Sequence, residues 1–468
     1  MQIISSENQR DTEIVSALAN DEGWKMILQD WWFTTLMGIK EPIRPPLKGD
    51  VKTDVLIVGA GASGIAAALR LAGSGKKVVL LDKNICGGSS TGKSAGFLTP
   101  DSELELSQLL RKYGTKGAKD LWEVAAKGVD IMVDNIKKHK IECDLQVQDC
   151  LFLGKGTSGW KDVEDEVNAR KKLGYSSTVY KEPEVPSVIG SKAYSGAIRY
   201  TGTYGVNPLL YAQGMKQVLL DAGIEIFESS EVLSWKEKTV FTHLGSVTAD
   251  KIIFCIDKPK PNVTKYSESV YHAQTFLSVS EPLGDSDIAD LFPQGPLQCW
   301  DSDLIYTYFR LTGTKRLLVG GGDMLTTYAK NDTTTTRVID KVINGLKEKI
   351  PTIRPLRFIQ YWQGRIDMTR DLIPTVLVDP ERPWAHFVLG CVGLPWATFC
   401  GDFAARNVLD DKELDNEKYY RYFSPYRKFL LPLWLEQVLG KRIVFTVNNA
   451  WAKYRQKDRS AANSAGDI

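Results

Sequence analysis

Gly59, Gly61 and Gly64 stand in G-x-G-x-x-G spacing, and their neighbours give that spacing its meaning. The apolar, β-branched run Val55-Leu56-Ile57-Val58 stops at the first glycine, and a small-residue helical pattern follows over 65–72. A second apolar run, 78–81, ends at Asp82, about 20 residues beyond the glycines as a dinucleotide fold requires. Gly59 permits the tight turn, Gly61 lets a pyrophosphate approach the backbone, and Gly64 lets the helix pack on the sheet. The helix start, with Ala62 and Ser63, offers unpaired N–H groups and a partial positive charge to the phosphates. Asp82, with Lys83 beside it, is placed to accept hydrogen bonds from adenosine ribose hydroxyls, which argues against a 2′-phosphorylated cofactor. The alternative is a βαβ unit whose glycines serve packing alone.

A second chemistry-bearing stretch is the loop 87–97, Gly-Gly-Ser-Ser-Thr-Gly-Lys-Ser-Ala-Gly-Phe. It is too glycine-rich for a helix and too long for a simple turn. Beside a dinucleotide site it is expected to touch the ligand through Gly88, Ser89, Ser90, Thr91, Lys93, Ser94, Ala95 and Gly96. Seven cysteines lack C-x-x-C spacing and four histidines lie far apart, so neither a metal site nor a disulfide framework is expected. The odd cysteine count and the lack of a signal-peptide pattern predict a cytoplasmic protein.

The elements that must position these residues belong to a chain of 468 residues, 43% hydrophobic and 25% charged, long enough for two or three structural units. A formal net charge of +2 gives no field to gather nucleic acid, and no apolar run approaches the roughly 18 residues of a membrane span. Residues 1–50 read as a helical leader and linker. Helical patterns cover 104–113 and 117–139, and residues 143–200 alternate short β-like runs with polar loops, as in an inserted sheet. A helix is expected from Pro208 to about 222, then a strand at 224–227, a hairpin at 235–247 and a strand at 249–256. Alternation returns over 270–322, a helix covers about 337–350, and a final strand at 386–389 runs into Gly390 and Gly393, with a helix over 397–409. The tail, 411–468, is basic and amphipathic; it either lies on a membrane surface or packs on its own domain or a neighbouring subunit.

Over residues 45–409 the chain resembles the D-amino-acid oxidase/glycine oxidase family of FAD-dependent oxidoreductases, most nearly its γ-glutamylputrescine-oxidase-like and sarcosine-oxidase-like amine oxidases. The resemblance rests on the ordered series of motifs. These are the glycine triplet with Asp82, and the loop 88–97 with Lys93 and Ser94 where Arg and Asn are common. Gly205-Val206-Asn207-Pro208, Val232 beside the adenine, Tyr308-Phe309-Arg310 and Gly320–Gly322 follow. Trp362-x-Gly364, Thr369, Asp371, Pro374, then Gly390, Gly393 and Gly401 complete it. The resemblance implies a Rossmann-like α/β FAD-binding domain of the glutathione-reductase type (51–142, 201–268 and 356–410). It also implies an inserted α+β domain whose antiparallel sheet covers the flavin (143–200 and 269–355).

It further implies FAD-dependent oxidation of an amine or amino acid, by hydride transfer from a C–H beside nitrogen to give an imine that hydrolyses. O2 or another acceptor would then take the electrons. The flavin performs the redox step, so no triad or dedicated base is expected. Arg310 could hold a substrate carboxylate bidentately or be an edge-strand surface arginine; Tyr308, on the same strand face, could line the cavity or pack in the sheet. Trp396 could form an aromatic wall or belong to the core. Gly364 stands where sarcosine-type enzymes carry the cysteine that tethers flavin, so noncovalent FAD is expected. The oxygen-activating lysine of those enzymes is replaced within 317–320, leaving oxidase and dehydrogenase both open. Leu394 and Pro395 lie in a closing glycine segment shorter than the family's usual one, with Pro395 where a third glycine is common. A flavoprotein subunit acting with a protein or membrane partner through the terminal segments is the remaining alternative.

Overall fold

The chain is described as a computed structural model over residues 25–38, 43–101, 103–257, 259, 262–303, 305–323, 334–409 and 416–427. Most of the basic tail lies outside these residues.

The run Val55–Val58 is apolar throughout because both its faces are covered. Val55 and Ile57 face a helical layer, whereas Leu56 and Val58 face a second layer, and all are at most 5% exposed. That is the signature of a parallel strand sandwiched between layers. Five strands run parallel in the order Glu225–Phe227, Val78–Leu81, Gly49–Val58, Gly245–Phe254 and Arg382–Leu389. The hairpin Ser234–Lys236 and Thr239–Phe241 extends this sheet from Gly245–Phe254, and Thr375–Asp379 pairs with Arg382–Leu389. Helix Ala62–Leu71 leaves the first strand and meets helix Leu394–Leu409 backbone to backbone. A Cβ on Gly401 would lie 1.9 Å from the Ser63 carbonyl oxygen. The expected start of helix Pro208–Asp221 is present: Asn207 accepts from the amides of Leu209 and Leu210, and Pro208 occupies the first turn.

Among the described residues a second sheet has nine strands, mostly antiparallel. Their order is Ile27–Leu28, Phe358–Thr369, Val270–Pro282, Arg316–Gly321, Tyr308–Leu311, Leu297–Asp301, Asp149–Lys155, Tyr194–Tyr200 and Thr178–Lys181. Period-two alternation divides it. Phe276, Phe309, Val319 and Leu151 bury one face against helix Arg337–Lys349, while Thr275, Leu277, Tyr308, Trp300 and Phe152 line a cavity on the other. The α/β class with a second sheet domain therefore stands as expected.

Three elements differ from the reading of the sequence. Phe358–Thr369, assigned there to the nucleotide-binding segments, pairs along its length with Val270–Pro282 in the second sheet. Within 143–200 lies an 18-residue helix, Gly156–Leu173, in place of loops. Its pattern was hidden because its buried face sets Glu166 and Arg170 among Val163, Ala169 and Leu173. The leader, too, is structural: Ile27–Leu28 joins the second sheet, and helix Trp31–Thr34 buries Trp32 against Leu277 and Trp362. Among the described residues no helix is long and apolar enough to cross a membrane.

Candidate active site

The glycine turn has the geometry its spacing demands. Gly59 sits at φ +102°, and a Cβ there would lie 2.2 Å from the Cys255 carbonyl oxygen; a Cβ on Gly64 would lie 1.7 Å from the Gly59 oxygen. A Cβ on Gly61, by contrast, would meet only the Thr91 hydroxyl, at 3.1 Å, leaving the helix start open to the cavity. Asp82 is buried, with one carboxylate oxygen accepting from the Ala60 amide and the other from the Asn84 amide, both at 2.7 Å. Burial raises its pKa and the two amides counter this. Asp82 thus faces the cavity in a fixed orientation with lone pairs to spare.

The loop 87–97 is held from outside its own domain. Trp362 Nε1 donates to the Lys93 carbonyl at 3.0 Å, Trp32 Nε1 to Ser94 at 2.8 Å, and Arg310 Nε to Ala95 at 2.7 Å. Three successive carbonyls are therefore each tied down by a side chain from the leader or the second sheet. Thr91 turns back to accept from the Ala62 amide at 2.9 Å, joining the loop to the helix start. Beneath the loop, buried Glu228 accepts from the amides of Cys86 and Arg44, each at 2.6 Å, and lies 3.4 Å from the equally buried Lys216.

These elements enclose a cavity of about 460 Å³. It runs from Asp82, Lys83 and Val232, past Gly59, Gly61, Ala62 and Ser63, along Ser89, Ser90, Thr91, Lys93, Ser94, Ala95 and Gly96, to Gly364 and to Gly393, Leu394 and Pro395. Tyr308 lines its far part, its hydroxyl 3.2 Å from Thr275 Oγ1 and its ring 5.9 Å from that of Phe97. Helix Leu394–Leu409 begins at the wall, so its amide end favours negative charge on a ring lodged there. The open face at Gly61, the fixed Asp82 and the continuity of the cavity fit a long dinucleotide carrying a ring system.

Other expected residues lie elsewhere. Gly64 and Gly88 sit behind the wall, as does Gly390, whose φ of +64° lets the chain turn tightly against Thr369. Trp396 is buried in the core of the helical layer. Arg310 is wholly buried: besides Ala95 it donates to the carbonyls of Leu311 at 3.1 Å and Val206 at 2.6 Å. It shares the strand face of Tyr308, as alternation implied, but the loop closes over it: each of its three nitrogens donates to a backbone carbonyl, and the guanidinium does not line the cavity where a substrate carboxylate would lie. Desolvation lowers its pKa to about 10, so it stays charged at neutral pH. Conversely, the sequence reading passed over Trp32 and a group of carboxyls at the far end, Asp101, Glu103 and Glu105. The only signal for these was the alternation of acids in Asp101-Ser102-Glu103-Leu104-Glu105.

Known proteins resemble the chain in sequence and in fold. The chain is 26% identical over 386 residues to a probable oxidoreductase, OrdL, of Haemophilus influenzae, covering 79% of this chain and 86% of that protein. It is 25% identical over 338 residues to the γ-glutamylputrescine oxidoreductase of Escherichia coli, covering 70% and 77%. Glycine oxidase from Geobacillus kaustophilus superposes with a TM-score of 0.68 at 18% identity, over 81% of this chain and all of that one, a likeness of fold. A family model described as FAD dependent oxidoreductase matches residues 54–406, from the first parallel strand to the last cavity helix. The chain accordingly belongs to that family, the DAO family, and is an oxidoreductase whose cofactor is FAD.

Proposed function

We propose that the protein oxidises the C–N bond of an amine or amino acid to an imine, which water hydrolyses. The observation that carries this reading is a single cavity joining the nucleotide cradle at Gly61 and Asp82 to an aromatic chamber under the second sheet. The names of the curated relative acting on γ-glutamylputrescine and of the glycine oxidases support the substrate class. FAD, when bound, supplies the two-electron acceptor for the hydride leaving the carbon beside nitrogen. The chain's own residues orient and desolvate. Gly364 leaves room beside Thr275, and Phe97, Tyr308 and Trp300 form a wall that sheds water around the reacting carbon. The amine must lose its proton to release the nitrogen lone pair, and that proton passes to solvent at the cavity mouth. FAD is held noncovalently, since Gly364 stands where sarcosine-type enzymes carry the cysteine that tethers flavin. The electron acceptor is O2 or another oxidant.

The test is a purified yellow protein challenged without oxygen by amines, N-methyl amino acids and D-amino acids. One class should bleach the flavin band, and peroxide on admission of air would identify an oxidase. A flavin that no member reduces would overturn the proposal.

A further inference from the structure

We infer that the substrate carries a second cationic group, remote from the reacting nitrogen, and that the acidic end of the cavity binds it. The inference rests on the amine-oxidising function proposed above and names its substrate class: a diamine or polyamine rather than an α-amino acid.

Buried carboxyls are ordinarily matched by cations or by hydrogen bonds. At this end of the cavity, where Asp101 is buried and Glu103 and Glu105 are half-buried, the carboxyls outnumber the cations. Glu103 accepts from Tyr306 Oη at 3.1 Å and Glu105 from Trp300 Nε1 at 2.8 Å, while the other Glu105 oxygen has no hydrogen-bond partner. Asp101 is 6% exposed and lines the cavity, and its Oδ1 accepts no hydrogen bond. The nearest guanidinium, Arg170, forms a long ion pair with that oxygen at 3.7 Å through Nη2, and shares its charge with Glu166, 2.9 Å from Nε, and with the faces of Tyr200 and Trp122. One buried cation thus serves Asp101, Glu105 and Glu166, whose oxygens lie within 4.8 Å of one another. The site is short of positive charge.

What would supply it is indicated by the walls. Trp300 lies 6.5 Å from Phe97 and Phe152 and 6.2 Å from Tyr200, and Tyr306 lies 5.7 Å from Tyr308. Aromatic faces mixed with carboxylates suit an organic ammonium on an alkyl chain. A carboxylate-bearing substrate finds the opposite: at the acidic end the cavity's cation is Arg111, 3.4 Å from Asp165. Lys83 follows Asp82, Lys93 belongs to the loop 87–97, and Arg365 to the strand beside Gly364.

The test uses FAD-loaded enzyme. Turnover of 1,6-diaminohexane is compared with that of n-hexylamine, and binding of the non-oxidisable dication hexamethonium with that of hexyltrimethylammonium, by calorimetry. The dication should bind about tenfold to hundredfold more tightly than the monocation, the range for a charge-assisted contact. The diamine should lead the monoamine by a similar factor in kcat/KM. Glu103→Gln and Asp101→Asn, each isosteric, should shrink both ratios about tenfold while the protein keeps its FAD. Equal binding of the two probes, ratios untouched in both variants, or a preference for N-methylglycine over every diamine would overturn the inference. So would a dication preference that disappears with EDTA and returns with Mg²⁺ or Ca²⁺, which would assign the carboxyls to a metal. If no amine of any kind reduces the flavin, the oxidation itself fails, whereas the calorimetric ratio still reports on the acidic pocket.

Discussion

At the scale of single residues, Arg310 shows how a correct direction leads to a different role. Strand alternation places it beside Tyr308, but it is wholly buried and each of its three nitrogens donates to a backbone carbonyl. Arg310→Met would leave buried acceptors unpaired, at a cost of about 3 kcal/mol or more. We expect a lower melting temperature and weaker FAD binding by fluorescence titration, with KM little changed in the fraction that retains FAD; a carboxylate clamp would instead raise KM for amino acids alone. The face of the strand was legible in the sequence, whereas the loop that closes over it, 215 residues away, was not. Asp101 yields a pH prediction. Burial pushes its carboxyl up to about 7, with Arg170 lowering it and Glu166 raising it, and with Thr99 donating to its other oxygen. Below that pH the group is neutral and offers a cation little; above it the charge is present. Affinity for hexamethonium, whose own charge is fixed, should therefore rise up to about tenfold from pH 6 to pH 8, and Asp101→Asn should flatten the rise. Stability moves the opposite way. The unfolded acid ionises near 3.8 and the folded one near 7, so this group's contribution is lost as pH climbs through that window and changes no further above it.

At the scale of elements, close approach rather than propensity decides what is tolerated. Helix Leu106–His139 packs on the start of Leu394–Leu409 so tightly that a Cβ on Gly128 would lie 2.0 Å from the Pro395 carbonyl oxygen. Gly345, within helix Arg337–Lys349, has nothing within 4 Å of its Cβ position. Gly128→Ala should destabilise by about 1–3 kcal/mol and loosen FAD, because Pro395 lines the cavity, whereas Gly345→Ala should stabilise by about 0.5–1 kcal/mol. Chemical denaturation of both variants, with FAD retention measured in parallel, checks the pair; equal effects would mean that packing at Gly128 yields freely. The parallel strands and their helices were legible because each carries one unbroken period. Helix Gly156–Leu173 was not, since its inner face pairs Glu166 with Arg170 and Ser107, and charge reads as surface until the partners are known. Phe358–Thr369 had the right character, but nothing local says which sheet a strand will join.

At the scale of the whole molecule, the second sheet grips the loop 87–97 as well as walling the cavity. The glycines and Asp82 belong to the parallel-sheet unit, yet the carbonyls of Lys93, Ser94 and Ala95 are tied by Trp362, Trp32 and Arg310 from the second sheet and the leader. On the proposed placement of FAD, its affinity would be a property of the two units together. Trp362→Phe isolates the point: the ring stays apolar and fills most of the same space against Leu277 and Trp32, but the indole N–H to Lys93 is gone. One neutral hydrogen bond contributes about 0.5–1.5 kcal/mol net, and leaving its buried acceptor unmade adds to the loss. FAD affinity by equilibrium dialysis should fall about threefold to tenfold, although Trp362 stands outside the glycine motif altogether, with far-UV circular dichroism unchanged. Linkage then sets the melting behaviour: FAD in excess raises the melting temperature of both proteins, and the variant needs proportionally more cofactor to reach the same value. Were affinity unaltered while the apo melting temperature dropped, the clasp would serve the sheet alone and the nucleotide unit would bind FAD unaided.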